Sequence, residues 1–161
     1  MSIAKFTWIS QAQYDRDLAS FHNAPPLEAI PLPRRATAGS AGYDFVSPVA
    51  VTIPPGGSAV IPTGIRAEME PGWVLMLFPR SSLGFKTGMR LSNTTGIIDS
   101  DYAFAENEGH ILVSLRNPSV SPVTIARGER FCQGVFLPYG LAEERVAPPE
   151  GRKGGIGSSG V

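Results

Sequence analysis

The chain of 161 residues carries 14 basic and 14 acidic side chains, so its length suits one domain with a real core and its charge balance offers no global positive field. Nucleic acid and membrane surfaces are therefore not expected partners, and a small, locally bound ligand is. The longest apolar stretch, Trp73 to Phe78, is too short to span a bilayer, the start does not read as a signal peptide, and the lone Cys132 excludes an internal disulfide, which together predict a cytoplasmic protein.

The first element predicted is a short amphipathic helix. Ser10 and Gln13 have the spacing of a capping box, Ile9 and Tyr14 that of a hydrophobic staple, and Tyr14, Leu18 and Phe21 follow at i, i+4 and i+7. Pro25 and Pro26 close the segment, so residues 1–26 are expected to form a helix and linker packed on the outside of a core domain.

From Leu27 onward short apolar runs alternate with turn residues. Strands are expected over Ala41 to Val46, Val49 to Ile53, Ser58 to Ile61, Trp73 to Phe78, Ile111 to Leu115, Val123 to Ala126 and Phe131 to Leu137. Turns are explicit at Pro54 to Gly57, Pro71-Gly72 and Arg127 to Glu129, and the 18 glycines and 15 prolines fit many such turns. An all-β sandwich or barrel over residues 27–151 results, followed by a Gly/Ser-rich arm over residues 152–161 expected to be mobile when alone.

Neither a zinc-deaminase pattern nor a Walker-type phosphate loop occurs in the sequence. Five short segments nevertheless carry candidate chemistry. Small residues from Ala38 to Tyr43 surround Asp44, which could approach a metal-water shell or simply open a strand with an Asx turn. Arg80, Ser81 and Ser82 end an apolar run with donors suited to phosphate oxygens, although an Arg-Ser-Ser turn is also common on plain surfaces. Asn93, Gly96, Ile98, Asp99, Asp101 and Tyr102 put an amide, two carboxylates and an aromatic ring within ten positions, or else form a solvated turn. Gln133 is the single polar side chain entering the apolar run after Arg127-Gly128-Glu129-Arg130. The tail offers Arg152, Lys153 and unhindered glycine amides to a polyphosphate, with a flexible linker as the alternative.

In this order the five segments resemble the motifs of the homotrimeric dUTPase family, from Pro31-Leu32-Pro33-Arg34 to the C-terminus. The resemblance implies a jelly-roll-like all-β subunit, a trimer with shared active sites, and magnesium-assisted hydrolysis of dUTP to dUMP and pyrophosphate. It further implies that Asp99 is the general base and that Arg80, Ser81, Ser82, Gln133 and Arg152 or Lys153 hold phosphates. Asp44 would hold hydrated Mg2+ through water, Asn93, Gly96 and Ile98 would read uracil, Tyr102 would pack on deoxyribose, and Ile156 would cover the base.

Three departures from the family pattern stand out. Residues 103–109 lengthen the stretch after Tyr102, Ile156 replaces an aromatic ring, and Arg152 lies closer to Gly154 than in many relatives. A dCTP deaminase-like enzyme is the nearest rival on a similar fold, but Ser114 stands where such enzymes carry a catalytic glutamate. A non-hydrolytic nucleotide-binding regulator is the other alternative, and an intact Asp99 speaks against it.

Overall fold

The computed structural model describes residues 2–22 and 24–144. Strand β1 (Ala4–Trp8) opens the chain and helix α1 (Gln11–Leu18) follows. The remaining strands are β2 (Arg34–Arg35), β3 (Tyr43–Val46), β4 (Val51–Ile53), β5 (Ser58–Pro62), β6 (Ile65–Met69) and β7 (Trp73–Pro79). After helix α2 (Ser81–Thr87) come β8 (Arg90–Leu91), β9 (Gly96–Ile98), β10 (Leu112–Arg116), β11 (Val123–Ile125) and β12 (Arg130–Pro138). The fold is all-β, with α1 and α2 the only α-helices among the described residues. No helix there is long and apolar enough to cross a membrane.

Every strand pairing is antiparallel. The largest sheet runs β2-β3-β12-β7-β9, and smaller ones pair β5-β10-β8, β11-β4 and β1-β6. Between the layers lie Phe45, Ile61, Leu75, Leu77, Ile111, Leu115 and Phe131, all buried. Fully burying side chains of this size contributes roughly 1.5–3 kcal/mol each.

Five strands, β1, β2, β6, β8 and β9, lie where the sequence reading placed none. In β1 and β6, Phe6 pairs opposite Ala67, and Phe6 also packs edge-on against Phe45 with ring centroids 5.5 Å apart. The N-terminal segment thus contributes to the core: Ile9, Tyr14 and Leu18 belong to the main apolar cluster, and Tyr14 Oη donates to Pro25 O at 2.8 Å.

The capping box forms only in part. Ser10 Oγ accepts from Gln13 N at 3.2 Å, but the Gln13 side chain turns to Asp17. Glu108 takes the reciprocal role from another part of the chain, accepting from Ser10 N at 2.7 Å and from Ser10 Oγ at 2.6 Å. These bonds hold the Glu108 carboxyl below the usual range.

Fully buried His110 ties the same region together. Its Nε2 accepts from Gly64 N at 2.8 Å, so that nitrogen carries no proton, and Nδ1–H donates to Asp17 Oδ2. Burial lowers the His110 pKa from the ordinary 6.5, overcoming the opposing pull of Asp17 and Glu108. A folded-state value below the unfolded one means that the unfolded chain takes up the proton first as pH falls. Stability is therefore expected to decline as pH drops through 6.5 towards the folded-state value. In urea unfolding, His110→Gln, whose amide can keep both bonds, should show a smaller loss between about pH 8 and about pH 5 than the unaltered chain. Equal losses would show that His110 does not titrate as described.

Candidate functional site

Three adjacent strands deliver the polar groups. On β12, Gln133 pairs with Asp44 of β3 on one side and with Phe78 of β7 on the other, just before Arg80. The β3–β12 register shifts between Arg130 and Cys132, leaving Phe131 as the extra residue of a bulge. Phe131 O accepts from Arg80 N at 3.1 Å, so the bulge also anchors the end of β7.

Asp44 is the electrostatic centre. Its Oδ2 lies 3.0 Å from Arg130 Nη1 and its Oδ1 lies 3.6 Å from Arg80 Nε, while only 11% of its side chain is accessible. A carboxylate this enclosed needs a cationic partner, which Arg130 supplies at close range, because a buried charge without one costs several kcal/mol. The Arg80 contact is too long for a good hydrogen bond, which leaves that guanidinium directions to spare for another anion.

Ser81 and Ser82 open α2 directly after Arg80 and are exposed. With Asp44, Arg80 and Gln133 they line one cavity of about 630 Å³, whose remaining wall is small: Ala36, Ser40, Ala41 and Gly42, with Val135 at its edge. A Cβ at Gly42 would sit 2.5 Å from Gln133 Oε1, so any side chain there would have to push the carboxamide aside. A second hollow of about 530 Å³ shares Asp44 and Ala36 and is lined by Arg34, Arg35 and Arg130.

The other predicted residues lie apart. Asn93, Gly96, Ile98, Asp99 and Tyr102 line neither cavity. The register explains why: Ile98 is opposite Leu75 near the start of β7, whereas Arg80 follows its end. At about 3.3 Å per residue those positions are roughly 15 Å apart along the strand. Asp99 is exposed, next to the edge strand β9.

Gly96 has a packing reason for lacking a side chain, because its Cβ would lie 3.0 Å from Leu77 Cβ. Tyr102 does not stand out as an open wall. It is 4% exposed, its hydroxyl donates to His110 O at 2.9 Å and accepts from Asn107 Nδ2 at 2.8 Å, and Tyr102 N donates to Asp99 O at 3.1 Å. Arg152, Lys153 and Ile156 fall outside the described residues. Sequence reasoning gave no role to Arg130, Arg34 or Arg35, whose place around Asp44 depends on strand register.

The dUTPase family model matches residues 28–160. The chain belongs to the dUTPase family. It is 43% identical over 134 residues to the deoxyuridine 5'-triphosphate nucleotidohydrolase of Lactococcus lactis subsp. lactis (strain IL1403), covering 82% of this chain and 89% of the relative. Against the corresponding protein of Actinobacillus pleuropneumoniae serotype 5b (strain L20) the identity is 42% over 138 residues, covering 81% and 88%. The crystal structure of a dUTPase from Streptococcus mutans aligns with a TM-score of 0.69 at 37% identity, covering 86% of this chain and 98% of that one. The Staphylococcus bacteriophage 80alpha dUTPase with dUPNHPP aligns at 0.67 and 25% identity over 100% of both chains.

Cys132 lies beside this cavity on β12 but faces the core, and burial pushes its thiol up to about 12, so it stays protonated at neutral pH. The packing of this dUTPase around Gln133 gives a direct test. Gly42→Ala should leave the fold intact and displace the Gln133 carboxamide, read from the variant's crystal structure and its thermal melt. An unmoved carboxamide would show that Gly42 does not shape the cavity.

Proposed function

We propose that this chain hydrolyses dUTP to dUMP and pyrophosphate in a cytoplasmic homotrimer, with Arg80, Ser81, Ser82 and Gln133 of one subunit facing Asp99 of a neighbour. One observation carries the reading. The phosphate-type donors gather in a single cavity around Asp44, while Asp99 sits at the far end of β7 and lines no part of it. Closed rotational symmetry can bring the two ends together between copies.

In this reading the Arg80 guanidinium and the Ser81 and Ser82 hydroxyls neutralise and orient the triphosphate, and Gln133 adds an amide donor. Asp99 takes a proton from the water that attacks the α-phosphorus, and the bond to the departing pyrophosphate breaks. A carboxylate is a weak base towards water, so charge neutralisation must supply much of the rate enhancement. Magnesium, when bound, would supply further neutralisation of phosphate charge. Among the described residues no three His, Cys, Asp or Glu side chains cluster as a metal cage, which suits an ion carried mainly by the triphosphate and its waters. Asp44 fits that arrangement, since each of its oxygens retains a second lone pair for a bridging water.

The base would be read at β9, whose outer edge is not paired within its sheet. Backbone donors and acceptors from Gly96 to Ile98 suit the uracil edge, with Asn93 alongside, and cytosine would leave them mismatched at about 1–3 kcal/mol per buried group. Tyr102 would back the sugar from beneath through its narrow accessible edge. Arg152, Lys153 and Ile156 would close over phosphates and base. The deaminase alternative gains nothing, because Ser114 Oγ on β10 is 2.7 Å from the Oγ of Ser92, just after β8, in a hydroxyl pair.

Asp99→Asn is expected to keep dUTP affinity within about tenfold and to lower turnover by roughly 10²–10⁴. Shared sites predict a further result. Arg80→Ala and Asp99→Asn proteins, each nearly inactive, should regain about a quarter of normal activity when unfolded and refolded together, because that fraction of mixed sites has both residues intact. No recovery in a confirmed mixed oligomer would place both residues in one subunit's site.

A further inference from the structure

The inserted loop over residues 103–109 and helix α1 remain to be accounted for, and they are joined to each other. Glu108 holds a left-handed backbone at φ 59°, where a side chain is strained, yet its carboxylate binds both the N–H and the hydroxyl of Ser10 at the start of α1. Gly109 follows at φ 70°, and a Cβ there would lie 2.5 Å from Ala103 Cα, so the loop folds tightly over its own first turn. His110 then reaches Asp17 near the other end of α1 and Gly64 between β5 and β6.

The same loop grips the segment that carries Asp99. Tyr102 Oη donates to His110 O, Asn107 Nδ2 donates to Tyr102 Oη, and Tyr102 N donates to Asp99 O. A series of hydrogen bonds, joined by the covalent chain between Glu108 and His110 and by the Tyr102 side chain, therefore links α1 to the backbone of Asp99. Strain held at Glu108 is offset by a contact that fixes the loop from outside, which is how a loop is kept in one conformation against its local preference.

We propose that α1 and the 103–109 loop form a clamp that positions the Asp99 segment for attack, with Glu108 as its main positioning residue. The clamp rests on the reading of Asp99 as the base. Neither α1 nor the 103–109 loop lines either cavity, so the clamp should affect the chemical step and leave substrate affinity nearly alone.

Glu108 is the position to test, because truncating fully buried His110 would open a hole in the core. Glu108→Ala, Glu108→Gln and Asp99→Asn should be prepared as the full chain and assayed with dUTP and magnesium. Thermal melts and amide hydrogen exchange should accompany the assays. Glu108→Ala is expected to lower kcat roughly ten- to a hundredfold with KM within about threefold, and to speed exchange at residues 99–102, while remaining folded at the assay temperature. Glu108→Gln should restore both, because its amide can accept from Ser10 N and donate to Ser10 Oγ, which a change that merely loosened the fold would not predict. Unchanged kcat, unchanged exchange at residues 99–102, or a kcat loss equal to the unfolded fraction would each overturn the clamp. Should Asp99→Asn keep normal turnover, the reading of Asp99 falls, and exchange at residues 99–102 alone then decides whether the loop is clamped.

Discussion

The register of β12 between β3 and β7 is the constraint on which the candidate site depends. Gly134 presents bare backbone to the core, where a Cβ would lie 2.7 Å from Leu75 Cδ1 and 3.2 Å from Phe45 Cε2. Its neighbour Gln133 faces the opposite side, towards Asp44 and the cavity. A slip of one position would drive the carboxamide into the apolar layer, so core packing and site chemistry enforce the same alignment. The bulge completes the arrangement. Arg130 and Gln133 are three positions apart and would lie on opposite faces of a regular strand, but the extra residue Phe131 restores both to the side of Asp44. Phe131 and Cys132 are accordingly both buried, although they are consecutive.

This alignment gives Asp44 two guanidinium partners with different freedom. Arg130 is close at 3.0 Å, whereas Arg80 stands off at 3.6 Å with 30% of its side chain accessible. A phosphate could draw Arg80 away without leaving Asp44 uncompensated, because Arg130 would remain. The carboxylate thereby keeps the cationic side of the cavity from repelling itself when no anion is bound, and Arg80 needs little movement to serve one.

Much of this was legible in the sequence, and the limits have physical causes. The long strands β7 and β12 declare themselves through apolar runs bounded by turns, with Arg80 directly after β7 and Gln133 the polar residue within the β12 run. Strands β1 and β6 alternate correctly but contain lysine, arginine, glutamate, alanine and methionine, residues of modest strand preference, and each is fixed by pairing with the other across the chain. No helix is expected over Ser81 to Thr87, where two serines and Gly84 weaken helical preference, yet buried Leu83 holds one in place. Ser10 was recognisable as a cap, whereas Glu108, 98 positions away, was not, since no local rule reaches that far. Arg130 belongs to the same class: its role follows from a bulge that composition does not announce.

The proposed division of the site along β7 would also give the proposed trimer a reason to assemble beyond stability. Arg80 and Gln133 are set by the interior of the five-stranded sheet, where register is strongly enforced, but Asp99 follows β9 at its edge, where a strand is paired on one side only. An edge position is free to face a neighbouring copy, and a rotationally closed ring would place each Asp99 beside another subunit's phosphate cradle without requiring one chain to bend back on itself. The cost is that the proposed base follows a strand paired on one side within its sheet, a weaker constraint on register than the sheet interior provides. The ties from α1 through Glu108 and His110 lie where that weakness needs support, so the rigid sheet would fix the triphosphate while the N-terminal helix and loop fix the base.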